Sequence, residues 1–192
     1  MKFLCSCLEN EKVQSELEKH LQKPIDSCKV LLVIYENTYG NAVENLYEFK
    51  TLLKCGFNKK NITILDLNEY QELNCNDYDV LFIPGGNTFT LLQLIKNTKF
   101  DCFIKQFIKN DGFYIGESAG AHILFDSVEH VLEFDDNNVG LTDYSGLGLI
   151  SGVIIPHYDE SRYWTLVWCQ KEYNPVYTLR NDEFNCFFEI TI

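Results

Sequence analysis

Basic residues are scarce in this 192-residue chain: 16 Lys and Arg stand against 28 Asp and Glu, giving a formal net charge of −12 at pH 7. A nucleic-acid surface needs Lys and Arg gathered on one face, so that function class is excluded. Anionic membranes are disfavoured on the same ground. The acidity is read as solubility. The chain also lacks any apolar run long enough to span a bilayer. Met1-Lys2-Phe3-Leu4-Cys5 is too short for the core of a signal peptide. A cytoplasmic protein is expected.

Eight cysteines are present without a framework to join them. Seven of them (Cys5, Cys28, Cys55, Cys75, Cys102, Cys169 and Cys186) lie scattered in or beside apolar segments. The one-residue spacing of Cys5 and Cys7 matches neither a zinc knuckle nor a redox C-x-x-C motif. Free thiols packed as small hydrophobes are the simplest account. There is no His-x-x-x-His motif and no nucleotide-binding fingerprint, so neither metal nor cofactor is expected. Repeats, low-complexity tracts and Pro/Gly/Ser linkers are missing as well, which predicts one domain over residues 1–192.

What is there is an alternation of short apolar runs with longer amphipathic ones. Val30 to Tyr35 is near-continuously apolar, as suits a parallel strand buried on both faces. Ala42, Val43, Leu46, Phe49, Leu52 and Leu53 then recur at helical spacing, up to a natural C-cap at Gly56. Further strands are predicted at 62–65, 80–83, 113–115, 153–155, 176–179 and 186–192. Helices are predicted at 88–95, 100–108 and 161–169. Strands alternating with helices imply crossover connections, a mostly parallel sheet and helices on both faces. Ligands of such sheets bind at the carboxyl ends of the strands. Three distinctive segments fall there: 84–87, 116–120 and 156–158.

Gly116-Glu117-Ser118-Ala119-Gly120 follows an apolar strand and opens a helical pattern. This is the context of a nucleophile elbow, in which a serine hydroxyl is lifted above the sheet. The Ala119 N–H, at the start of that helix, can face an oxyanion. Pro84-Gly85-Gly86-Asn87 offers close backbone approach and exposed N–H groups, with Asn87 placed either to cap the next helix or to meet a ligand. His157 follows a strand at the same edge and is the candidate general base. His20 and His130, in charged stretches, are expected to be solvated. His122, four residues past Ser118, is aimed down its helix. Spacing leaves the orienting acid open among Asp182 and Glu183, Asp159 and Glu160, and Asp135, Asp136 and Asp143.

Taken together, Pro-Gly-Gly-Asn-Thr (84–88), Gly-Glu-Ser-Ala-Gly-Ala (116–121) and Pro-His-Tyr-Asp (156–159) resemble the peptidase E family of aspartyl dipeptidases, relatives of the cyanophycinases. Gly146-Leu147-Gly148-Leu149 is similar to the family as well. The resemblance implies a three-layer α/β/α sandwich related to class I glutamine amidotransferases, with serine replacing their cysteine nucleophile. It implies cleavage of a small peptide after an N-terminal aspartate through an acyl-enzyme. Ser118 would be the nucleophile, His157 the base, and Gly85, Gly86 and Ala119 the oxyanion hole. The family's acid follows a late strand. The corresponding position here is Asn181, with Asp182 and Glu183 next in line and named as candidates. Arg162 is the candidate cation for an aspartate side chain, against a plain pairing with Asp159 or Glu160. A monomer or homodimer is expected. An amide or ester hydrolase of other specificity and a non-catalytic metabolite-binding relative are the competing readings.

Overall fold

The structure is a computed structural model and describes residues 1–35 and 46–188. Its centre is a six-stranded sheet assembled from β1 (Lys2–Cys5), β2 (Val30–Ile34), β3 (Ile62–Asp66), β4 (Val80–Ile83), β5 (Phe113–Glu117) and β8 (Phe184–Phe187), in the order β3-β2-β4-β5-β1-β8. All neighbours are parallel except β8, which runs antiparallel to β1. A second, two-stranded parallel sheet joins β6 (Val153–Ile155) to β7 (Val176–Thr178).

The strands in the middle of the large sheet read as unbroken apolar runs because both of their faces are covered. Alternate side chains go to opposite cores. Leu31, Val33, Leu81, Ile83 and Tyr114 pack with α3 (Thr88–Thr98) and α4 (Phe100–Lys109) on one face. Val30, Leu32, Val80, Phe82 and Ile115 pack with α1 (Glu11–His20) and α2 (Tyr47–Lys54) on the other. The architecture is therefore the mostly parallel α/β arrangement expected, with helices on both sides. A small separate core of Val153, Ile155 and Cys169 lies between β6 and α6 (Tyr163–Glu172).

One difference from the sequence reading has a plain physical cause. Lys2–Cys5 is too short to read as a strand locally, yet it is wholly buried because β5 and β8 flank it. The last strand begins at Phe184, two residues earlier than expected; residues 189–192 of that reading lie outside the described residues. So do Ala42 and Val43 of the first predicted helix; among the described residues α2 begins at Tyr47. All eight cysteines are free thiols. No helix among the described residues is long and apolar enough to cross a membrane.

Candidate active site

β5 ends at Glu117, and the chain turns at once into the short helix α5 (Ala119–His122). Ser118 occupies the corner with φ 47° and ψ −104°, a region that costs an L-residue about 1–3 kcal/mol. The turn closes only with glycine at its end. A Cβ on Gly120 would stand 2.0 Å from the Ile83 carbonyl oxygen. Gly120 also gives its N–H to Pro84 O and its carbonyl to the Tyr114 hydroxyl, at 3.2 and 2.6 Å. The corner is thus pinned from β4 and β5 together.

His157 follows β6 and also holds a positive φ, 53°. Its N–H donates to Ser6 Oγ at 2.8 Å, and that hydroxyl in turn donates to Leu179 O at 3.0 Å. Ser6 thereby ties the segment after β1 to both strands of the small sheet. Held this way, His157 Nε2 lies 3.1 Å from Ser118 Oγ. His157 Nδ1 lies 2.7 Å from Asn181 Oδ1. An amide oxygen only accepts, so Nδ1 carries the proton and Nε2 is left as acceptor for the Ser118 hydroxyl.

The acid candidates Asp182 and Glu183 are corrected by this geometry. The Asp182 carboxylate meets Lys12 Nζ at 3.1 Å in solvent. Glu183 turns back to accept from Arg180 N at 2.8 Å. Each is engaged elsewhere, and the neutral Asn181 holds the imidazole. The more distant candidates are occupied too: Asp135 accepts from Thr88 N, Asp143 pairs with Lys96, and Asp159 accepts from Ser161 N.

Ser118 and His157 share a cavity of about 360 Å³ with Ser6, Cys7, Gly85 and Gly86. Tyr35, Glu48 and Glu117 line it as well. The two glycine peptides differ. Gly85 N–H is taken by the Glu117 carboxylate, which also accepts from Leu8 N at 2.8 Å. Burial raises the Glu117 pKa above the usual carboxylate value. The Gly85 carbonyl accepts from the Tyr35 hydroxyl at 2.9 Å. In a trans peptide the next N–H points the opposite way, so this bond fixes the direction of Gly86 N–H. Of the three expected oxyanion donors, Gly85 is therefore committed to Glu117.

Three further expectations are corrected. Asn87 is the N-cap of α3, accepting from Thr90 N at 2.9 Å and donating to Asp136 O at 2.8 Å. It is not among the described residues that line the cavity. Arg162 is absent from that lining too: its Nη1 donates to Pro156 O at 2.7 Å, and its guanidinium sits 4.0 Å over the Phe134 ring. Neither Asp159 nor Glu160 pairs with it by salt bridge; Glu160 approaches Arg180 instead. His130 is not solvated but buried, with Nε2 2.9 Å from Ile154 O and its ring 5.1 Å from that of the equally buried His122. Desolvation holds His122 neutral and lowers the His130 pKa to about 4. Among the described residues, no group of three or more His, Cys, Asp or Glu side chains could hold a metal ion.

The family model of peptidase family S51 matches residues 4–184. The chain belongs to peptidase family S51. Among solved structures, this S51 chain is similar to a Listeria monocytogenes EGD-e protein provisionally described as peptidase E. The two share 26% identity and a TM-score of 0.76, over 95% of this chain and 91% of that one. Curated relatives include uncharacterized peptidase Lmo0363 of Listeria monocytogenes, 38% identical over 87 residues, or 44% of this chain and 42% of its own length. Uncharacterized peptidase PM1590 of Pasteurella multocida is 38% identical over 82 residues, or 42% of this chain and 40% of its own. The matched stretch thus spans about two fifths of the curated relatives' length.

Proposed function

We propose that this S51 chain is a serine peptidase acting on short peptides through an acyl-enzyme on Ser118. The observation that carries the reading is the 3.1 Å contact between Ser118 Oγ and a His157 whose Nδ1–H is already committed to Asn181. In the reaction Ser118 Oγ attacks the scissile carbonyl carbon, and its proton passes to His157 Nε2. The carbonyl oxygen becomes an oxyanion facing the N–H groups of Ala119 and Gly86. Collapse of this intermediate breaks the C–N bond, and His157 returns the proton to the departing amine. Water, deprotonated by the same imidazole, then releases the acyl group and restores the Ser118 hydroxyl. Ser118 at its positive φ serves as a nucleophile elbow, the strain keeping the hydroxyl clear of the sheet.

The resemblance to aspartyl dipeptidases supports an exopeptidase. An aspartyl preference needs a cation beside the bound carboxylate, and Arg162 is held by Pro156 and Phe134; that preference stays outside the proposal. Asn181 favours a second reading, a binding protein on the same fold, because a neutral amide does less than a carboxylate for the imidazolium. A fluorophosphonate probe decides between them. Labelling of Ser118 in the wild type, absent in Ser118→Ala, with turnover of peptide p-nitroanilides, is the expected result. An unlabelled wild type that turns over none of them leaves the binding protein.

A further inference from the structure

The segment that leaves β1 is fixed to the Ser118 corner on either side of Ser6. Cys5 O accepts from Ser118 N at 3.0 Å, and Leu8 N donates to Glu117 Oε1 at 2.8 Å. Ser6, between these two anchors, is 1% exposed and lines the cavity with Ser118 and His157. A serine hydroxyl has a single proton to give, and Leu179 O takes it at 3.0 Å. The lone pairs of Ser6 Oγ are thereby left to the His157 N–H, 2.8 Å away. Two consecutive residues, Cys5 and Ser6, thus hold the backbone of Ser118 and the backbone of His157.

His157 needs that hold, because its φ of 53° is one that an L-residue keeps only when its surroundings impose it. Without the Ser6 hydroxyl, Leu179 O would still accept from Tyr158 N at 2.8 Å. The His157 N–H would lose its acceptor, so the loss falls on the histidine rather than on the end of β7. We propose that Ser6 is a positioning residue, setting the separation of Ser118 Oγ and His157 Nε2 from the backbone side and taking no part in the proton transfer. The consequence for rate rests on the peptidase reading above; the placement of the imidazole does not. Proton transfer is sensitive to small displacements of the reacting pair, so a loosened His157 lowers kcat before it alters substrate binding.

Ser6→Ala and Ser6→Cys test this together. Alanine removes the hydroxyl, whereas cysteine keeps its place filled but bonds only weakly, and it carries the test if the alanine variant does not fold. Both are expected to lower kcat about tenfold with KM changed by less than about twofold, and to slow fluorophosphonate labelling of Ser118 to match. Nitrogen-15 NMR of the protein without substrate reads the imidazole directly. The wild type is expected to show one tautomer, with the proton on Nδ1, and both variants a mixture of the two. Wild-type kcat in Ser6→Cys, a change in KM alone, or wild-type imidazole signals in both variants overturns the proposal. Altered imidazole signals in the variants of a wild type that neither labels nor cleaves peptide remove the peptidase reading and keep the positioning role.

Discussion

His157 and Asn181 meet at 2.7 Å through Nδ1 and Oδ1, so the partner that orients the imidazole carries no charge, although carboxylates occupy the next two positions. In the proposed reaction this bond sets the tautomer without stabilising the imidazolium formed as Ser118 gives up its proton.

Asn181→Asp is therefore expected to raise kcat by about tenfold, worth about 1.4 kcal/mol in the transition state. The new carboxylate stabilises the imidazolium formed in the proposed transition state. Steady-state kinetics on both proteins check the size and the sign together.

Tyr35→Phe removes the hydroxyl bound to Gly85 O and loosens the peptide that aims Gly86 N–H. A hydrogen bond of this kind is worth about 1 kcal/mol. A fall of roughly fivefold in kcat, with KM little changed, is expected from steady-state kinetics. A rise in KM at constant kcat would assign Tyr35 to substrate contact instead.

Gly120→Ala sets two effects against each other. Alanine favours a helix over glycine by about 1 kcal/mol. Its Cβ, however, would stand 2.0 Å from the Ile83 carbonyl oxygen, which is backbone and cannot rotate away. The clash wins, and a net destabilisation of about 3 kcal/mol should lower the urea midpoint.

The buried His130 predicts a pH-dependent stability. Its pKa is about 4 in the folded protein, against about 6.5 when unfolded. Between those values the unfolded chain binds a proton that the folded one refuses. The stability it contributes is thus present above pH 6.5 and is lost as pH falls toward 4, by about 3 kcal/mol. Urea titrations across this range should show a steeper slope for the wild type than for His130→Gln.

How much of this was legible in the sequence follows from how local each signal is. The runs at 30–34, 80–83 and 113–117 are buried on both faces and carry that fact in their composition. Ser118 and His157 stand out because each directly follows a short apolar strand, although those strands belong to different sheets. β1 escaped notice because four residues gain their meaning only from β5 and β8, more than a hundred residues away. His130 reads as solvated because Glu129 and Glu133 flank it, while its own side chain turns inward to Ile154. The choice among Asn181, Asp182 and Glu183 depends on partners remote in sequence, such as Lys12, that no spacing rule reveals. The place of Arg162 is hidden from the sequence for a similar reason, since Phe134 lies nearly thirty residues earlier.

Ser118 belongs to the large sheet, whereas His157 and Asn181 both follow strands of the small one, and Ser6 spans the two. The side of the small sheet toward α6 rests on three buried residues, Val153, Ile155 and Cys169. This is a thin anchorage beside the cores that sandwich the six strands. Loss of function and loss of fold should then separate along a denaturant gradient. The small sheet can drift from Ser118 while the large one stays intact, so that a population with native-like secondary structure has already fallen silent.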